Sequence, residues 1–246
     1  MVTEDLRIWL NHFEYHAEHP RRVPWGLPDL LTAEERRLIA SSIATFQLGE
    51  QSQGATLTAA AERFARAREL PTLPRIVELF IREEQRHAAL LGYFMQDHCI
   101  ALKRRHWSDS VFRRVRRLAG FELYLYVLIC AELIGKVYYR ALEGATGCQR
   151  LKGLCRIMVC EELAHIGFES ELLLALRARR PAPVRLALRL AHRAFLAGAA
   201  SVVWLTHRAV LRRAGYGPRS FLRSCLAHYA FYLEPPAGRI AHPSAR

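Results

Sequence analysis

Two short segments carry residue types at a spacing suited to holding metal. Residues 83–87 read Glu-Glu-Gln-Arg-His, and residues 161–165 read Glu-Glu-Leu-Ala-His. Three residues turn a helix through about 300°. Glu84 with His87, and Glu162 with His165, therefore share a face one turn apart, where a carboxylate and an imidazole can reach one ion together. The spacing alone is common, because Glu and His at i, i+3 also make surface ion pairs. What sets these two apart is a glutamate upstream of each, inside an apolar run: Glu50 lies 34 residues before Glu84, and Glu132 lies 30 before Glu162. Four inward carboxylates are prohibitive to bury unless positive charge compensates them. Two divalent cations match the charge of Glu50, Glu84, Glu132 and Glu162. The cluster reads as a two-metal site with those glutamates, His87 and His165 as ligands. Neighbouring acids keep alternatives open. Glu83 or Glu161 reach the histidine at i+4, and Glu122 rivals Glu132 from about 15 Å away along the helix. Glu169, one turn beyond His165, is either a support to the ligands or a solvated charge.

Such a site needs long helices, and the chain has the pattern for them. Apolar residues recur at helical spacing, alternating β-branched runs are few, and hairpin dipeptides are absent, so the fold class is all-α. Thr32-x-x-Glu35 has the form of a capping box and opens a first helix expected to run to about Arg68. Pro71 and Pro74 precede a second helix, to about Cys99. Lys103 to Asp109 is a connection whose Asp109 caps a third helix ending near Glu143, before Gly144 and Gly147. A fourth spans about Gln149 to Arg180 and stops at Pro181 and Pro183. The expected organisation is an N-terminal segment, 1–31, packed on a four-helix di-metal domain, 32–180, with a basic helical extension, 181–246. Gly54, Gly92 and Gly135 are expected to leave room beside the ligand helices. Phe46, Phe80, Leu91, Leu125 and Met158 would line an apolar cavity or simply form core.

The arrangement resembles the ferritin-like di-iron carboxylate superfamily, in which two helices each give a Glu and two others each give Glu-x-x-His. The resemblance covers about residues 34–176. It implies a ferritin-like four-helix bundle with additional C-terminal helices, and Glu50, Glu84, His87, Glu132, Glu162 and His165 as ligands of two iron ions. Carboxylate with imidazole also suits manganese. Glu-Glu-x-Arg-His in the second helix is similar to the corresponding segment of soluble acyl-carrier-protein desaturases. Arylamine N-oxygenases of the superfamily carry a third histidine where this chain has Met158. The resemblance implies a non-haem di-iron oxidase or oxygenase, of hydroxylase or desaturase type, that activates O2 to oxidise a hydrophobic, acyl or lipid-linked substrate. Two other readings stay open: a ferroxidase or iron-binding protein without organic substrate, and a tRNA hydroxylase.

The six cysteines form no Cys-x-x-Cys pair, which excludes a rubredoxin-type iron site and a zinc ribbon. Most read as small buried hydrophobes. Electrons must then come from an external donor, a ferredoxin or a flavoprotein reductase. Residues 1–10 are too polar for a secretory signal, so the expected location is the cytoplasm. His12, His16 and His19 suit a surface or interface better than a metal. The net charge is +13, and residues 177–246 hold 13 arginines against the single acid Glu234. Arg185, Arg189 and Arg193 form one helical stripe ahead of an uncharged stretch, 194–206, which is too short to cross a bilayer. That stretch is expected either to pack on the bundle or to lie in a membrane interface. A basic face attracts acidic partners: an acyl carrier protein, the anionic inner surface of a membrane, and, behind these, RNA. A homodimer is also compatible with the sequence.

Overall fold

The computed structural model describes residues 2–51, 54–104 and 120–235, with side chains from Leu6 onward, and every regular element among them is helical. The helices are α1 (Val2–Glu18), α2 (Ala33–Glu50), α3 (Ala55–Arg68), α4 (Leu73–Asp97), α5 (Phe121–Ala145), α6 (Gln149–Ala178), α7 (Ala182–Arg213) and α8 (Pro218–Leu233). The all-α class read from periodicity is therefore observed. Asp109 and its expected cap lie outside the described residues. The chain divides into two compact units, Met1–Val23 with Ile43–Val127 and Pro24–Ser42 with Leu128–Arg246.

In the first unit, α1 buries Leu6, Trp9 and Phe13, an i, i+3, i+7 stripe, and packs on α4. Arg75 of α4 reaches Glu14 of α1 at 3.7 Å. The histidines of α1 and of the residue after it lie against neighbouring rings, with the His12 and His16 centroids 4.4 Å apart and His19 stacked on Tyr15 at 4.6 Å. α3 buries Leu57 together with the small Ala60, Ala61 and Ala65, and packs on α4.

The continuous helix expected from Thr32 to Arg68 is in fact two. α2 stops at Glu50, and α3 starts after Gly54, whose φ of 69° is left-handed. No ordinary helix propagates through that conformation. A Cβ at Gly54 would also lie 2.5 Å from Ile81 Cδ1, so the space beside this glycine is filled by α4. Gly92 and Gly135 differ: a Cβ there would make only ordinary contacts, with the Gln47 amide at 3.9 Å and the Tyr139 ring at 3.8 Å, so both positions have space for a methyl group. α3 closes with Glu69 in the left-handed region, and Leu70 N–H donates to Ala65 O at 3.0 Å. α4 then begins with Pro74 in its first turn, where a missing N–H costs nothing.

In the second unit the capping box forms as its sequence requires. Glu35 N–H donates to Thr32 Oγ1 at 3.1 Å, and Thr32 N–H donates back to Glu35 Oε2 at 3.0 Å. Glu35 also accepts from Gly147 N–H at 2.5 Å and Thr146 Oγ1 at 3.4 Å, which fastens the start of α2 to the turn between α5 and α6. α6 ends at Ala178, and Pro181 leads directly into α7. His192, Leu196, Ala200 and Trp204 recur at i, i+4 along the buried face of α7, and α7 packs on α8. The glycines of the turn 214–217 include Gly215 at φ 84°. α7 bends at His207, whose Nδ1 lies 2.8 Å from Ser42 Oγ; the same oxygen lies 2.8 Å from Tyr138 OH.

α7 is longer than the uncharged stretch 194–206 suggested. By length and composition alone it could cross a membrane: one 18-residue window has mean hydropathy 1.4, and 33% of that window is buried. Two of the three striped arginines find the one acid of the region. Arg193 Nη1 is 2.8 Å and Arg189 Nε 3.8 Å from Glu234.

Candidate metal centre

Each unit gathers one half of the expected ligand set. In the first, the end of α2 supplies Glu50 and the middle of α4 supplies Glu84 and His87, and each offers a ligand atom within 4.8 Å of the others. In the second, α5 supplies Glu132 and α6 supplies Glu162 and His165, again within 4.8 Å of one another. Both triads follow from local helix geometry. The i, i+3 offset brings His87 Nδ1 to 3.5 Å from Glu84 Oε1, and His165 Nδ1 to 3.1 Å from Glu162 Oε2.

All six side chains are buried. Both histidines are at 0% exposure, Glu162 is at 1%, and the most exposed of the set, Glu50, reaches 9%. Surface ion pairs do not look like this, because exposed partners keep their hydration. The rivals weighed from sequence fall elsewhere: Glu83 and Glu122 are half-buried, and neither joins either triad among the described residues. Glu161 is buried but outside the group that holds Glu162 and His165.

The donor set fits a hard or borderline divalent ion. Each triad offers two carboxylates and one imidazole, so one such ion balances its charge, and oxygen with nitrogen donors suits iron or manganese. A carboxylate pair this deep is costly without a cation, whatever the other contacts.

Sequence reasoning did not see the polar chain that runs behind the second triad. Arg177 Nη2 donates to His192 Nδ1 at 2.6 Å, which leaves the proton of that ring on Nε2, 3.1 Å from Cys130 Sγ. Burial pushes the Cys130 thiol well up, and the nearby Glu169 carboxylate adds to the shift. Glu169 is itself fully buried, which removes the solvated-charge reading. The only sequence signal for this chain was a lone histidine inside the arginine-rich stripe. Cys130, Cys148, Cys155 and Cys225 are buried free thiols, while Cys99 and Cys160 are exposed.

Compared with known proteins, the chain matches no family model, no curated protein and no solved structure.

Proposed function

We propose that the two triads together make one dinuclear iron centre in a ferritin-like four-helix arrangement of α2, α4, α5 and α6, spanning 32–180. On this reading the protein is a non-haem di-iron oxidase or oxygenase of hydroxylase or desaturase type. It oxidises a hydrophobic substrate, acyl or lipid-linked, at the expense of O2. The observation that carries the reading is repetition: Glu50 with Glu84 and His87, and Glu132 with Glu162 and His165, are the same buried triad built twice from the same helical offset.

When bound, a reduced iron pair supplies the electrons and open coordination positions that O2 activation requires. The chain supplies the rest. The carboxylates would orient the two imidazoles, and Phe80, Leu91, Leu125 and Met158, each buried, are apolar residues suited to excluding water. Manganese in one or both positions is the alternative metal. Reducing equivalents come from a separate ferredoxin or flavoprotein, in keeping with cysteines that are all free. The arginine-rich α7 and α8 suit an acidic donor or acyl carrier protein, or the anionic inner face of a membrane, with the protein otherwise cytoplasmic.

Oxygen uptake by the anaerobically iron-loaded protein tests the reading. Uptake coupled to oxidation of an added acyl substrate, in the presence of a reductase, is the expected result. Uptake that ends with the iron oxidised and no organic product would make the protein a ferroxidase. RNA that co-purifies and dissociates with salt, and is hydroxylated, would move the substrate to tRNA. A protein that takes up no iron would end the proposal.

A further inference from the structure

α5 carries a second set of chemical groups one turn beyond Glu132. Lys136 is 4% exposed, which is unusual for an ammonium, because burial of this charge demands a partner. Its Nζ donates to Tyr232 OH at 3.4 Å and lies 5.1 Å from the centre of that ring. No carboxylate pairs with it among the described residues. Glu132, one turn before Lys136, belongs to the second triad, and the acids nearest Arg140 and Tyr232 along the chain are engaged by other bases: Glu143 holds Arg156 at 2.6 Å and Glu234 holds Arg193 at 2.8 Å.

The remaining neighbours make the deficit larger. Arg140 follows Lys136 at i+4 on α5, and His228 precedes Tyr232 at i−4 on α8, so two helices each present two of the four groups. Arg140 is exposed and makes no ion pair among the described residues. The repulsion is felt by Lys136 and His228. Burial and then Arg140 push the Lys136 amine down to about 8, and burial, Lys136 and Arg140 push His228 down to about 4. Three bases and a phenol lie close enough to interact, and no acid is among them. A cluster of this kind raises the energy of the fold unless something anionic completes it.

We infer that Lys136, Arg140, His228 and Tyr232 form a binding site for an oxyanion, a phosphate or carboxylate group that enters from the exposed Arg140 side. The Lys136 ammonium and the Tyr232 hydroxyl supply donors to its oxygens, and the Arg140 guanidinium closes over it from solvent. The shared chemistry is that of a free phosphate, a phosphoester or the acid end of an acyl chain. The site owes nothing to metal at the triads, so it stands or falls separately from the proposed di-iron centre.

Isothermal titration of the full chain, at pH 7 and constant ionic strength, with inorganic phosphate and separately with decanoate, tests the inference. Wild type is expected to bind at least one of the two saturably. Lys136→Met should weaken that binding by about tenfold or more, the usual loss when a charge-assisted hydrogen bond is removed, while Arg185→Gln on the exposed stripe of α7 leaves it unchanged. Phosphate alone would point to a phosphate or phosphoester, and decanoate alone to an acyl acid. Thermal unfolding accompanies the titration. Lys136→Met should melt no lower than wild type without ligand, and His228→Gln serves as a second variant should it not fold. No saturable binding of either anion, or binding that Lys136→Met and His228→Gln leave intact, would overturn the inference.

Discussion

His87 and His165 are wholly buried, and each has a carboxylate of its own helix within 3.5 Å. In the proposed centre that contact orients the ring and the ion bonds to it. Replacing either histidine with alanine should weaken iron binding by at least about 100-fold, the upper range for loss of a group that only supports a ligand; iron retained after competition with a chelator measures it. In the metal-free protein the sign reverses at the carboxylates. Glu162→Gln should raise the melting temperature of the apoprotein, because it removes one of two adjacent buried charges, and should diminish the further rise that iron gives. Glu35 offers a pH test. The Gly147 amide, foremost, with help from Thr32 and Thr146, holds its carboxyl below the ordinary value of 4.5 despite some burial. A depressed carboxylate stabilises the fold above its unfolded pKa and loses that contribution as pH falls through the folded one. Wild type should therefore lose stability below about pH 4.5 more steeply than Glu35→Gln, as melts between pH 3 and 7 would record.

At the scale of the elements, α3 depends on one glycine. Gly54→Ala meets both a left-handed φ and the Ile81 side chain, and should cost about 1–3 kcal/mol in denaturant unfolding. Ser42→Ala removes the oxygen shared by Tyr138 and His207 at the bend of α7; about 1–3 kcal/mol is expected there, because two buried polar groups lose a partner. The elements were unevenly legible. Thr32-x-x-Glu35 and Pro74 place the openings of α2 and α4, and Pro181 the end of α6, because caps and prolines act over a few residues. The break after Glu50 was not legible: Gly54 is one glycine in a helical pattern, and what makes it a break is Ile81, 27 positions on in the sequence. The i, i+3 pairs of the candidate site could be read for the same local reason. The Lys136 cluster and the Arg177, His192 and Cys130 chain could not, because each joins residues from separate helices that no periodicity relates.

Over the whole molecule, charge is the organising quantity. Six buried donors, four of them acidic, stand in a chain of net charge +13 whose positive excess lies in residues 177–246, with 13 arginines against one acid. The acids call for cations and the bases for anionic partners: in the proposal, iron for the first, and an oxyanion and an acidic partner for the second. In the proposed centre the two triads share one pair of ions. Mössbauer spectroscopy of the full chain, loaded anaerobically with iron-57 and then oxidised, tests this most directly, because only neighbouring irons couple their spins. Two irons per chain in a coupled pair with a diamagnetic ground state are expected. Magnetically isolated iron, or none held against a chelator, would contradict it.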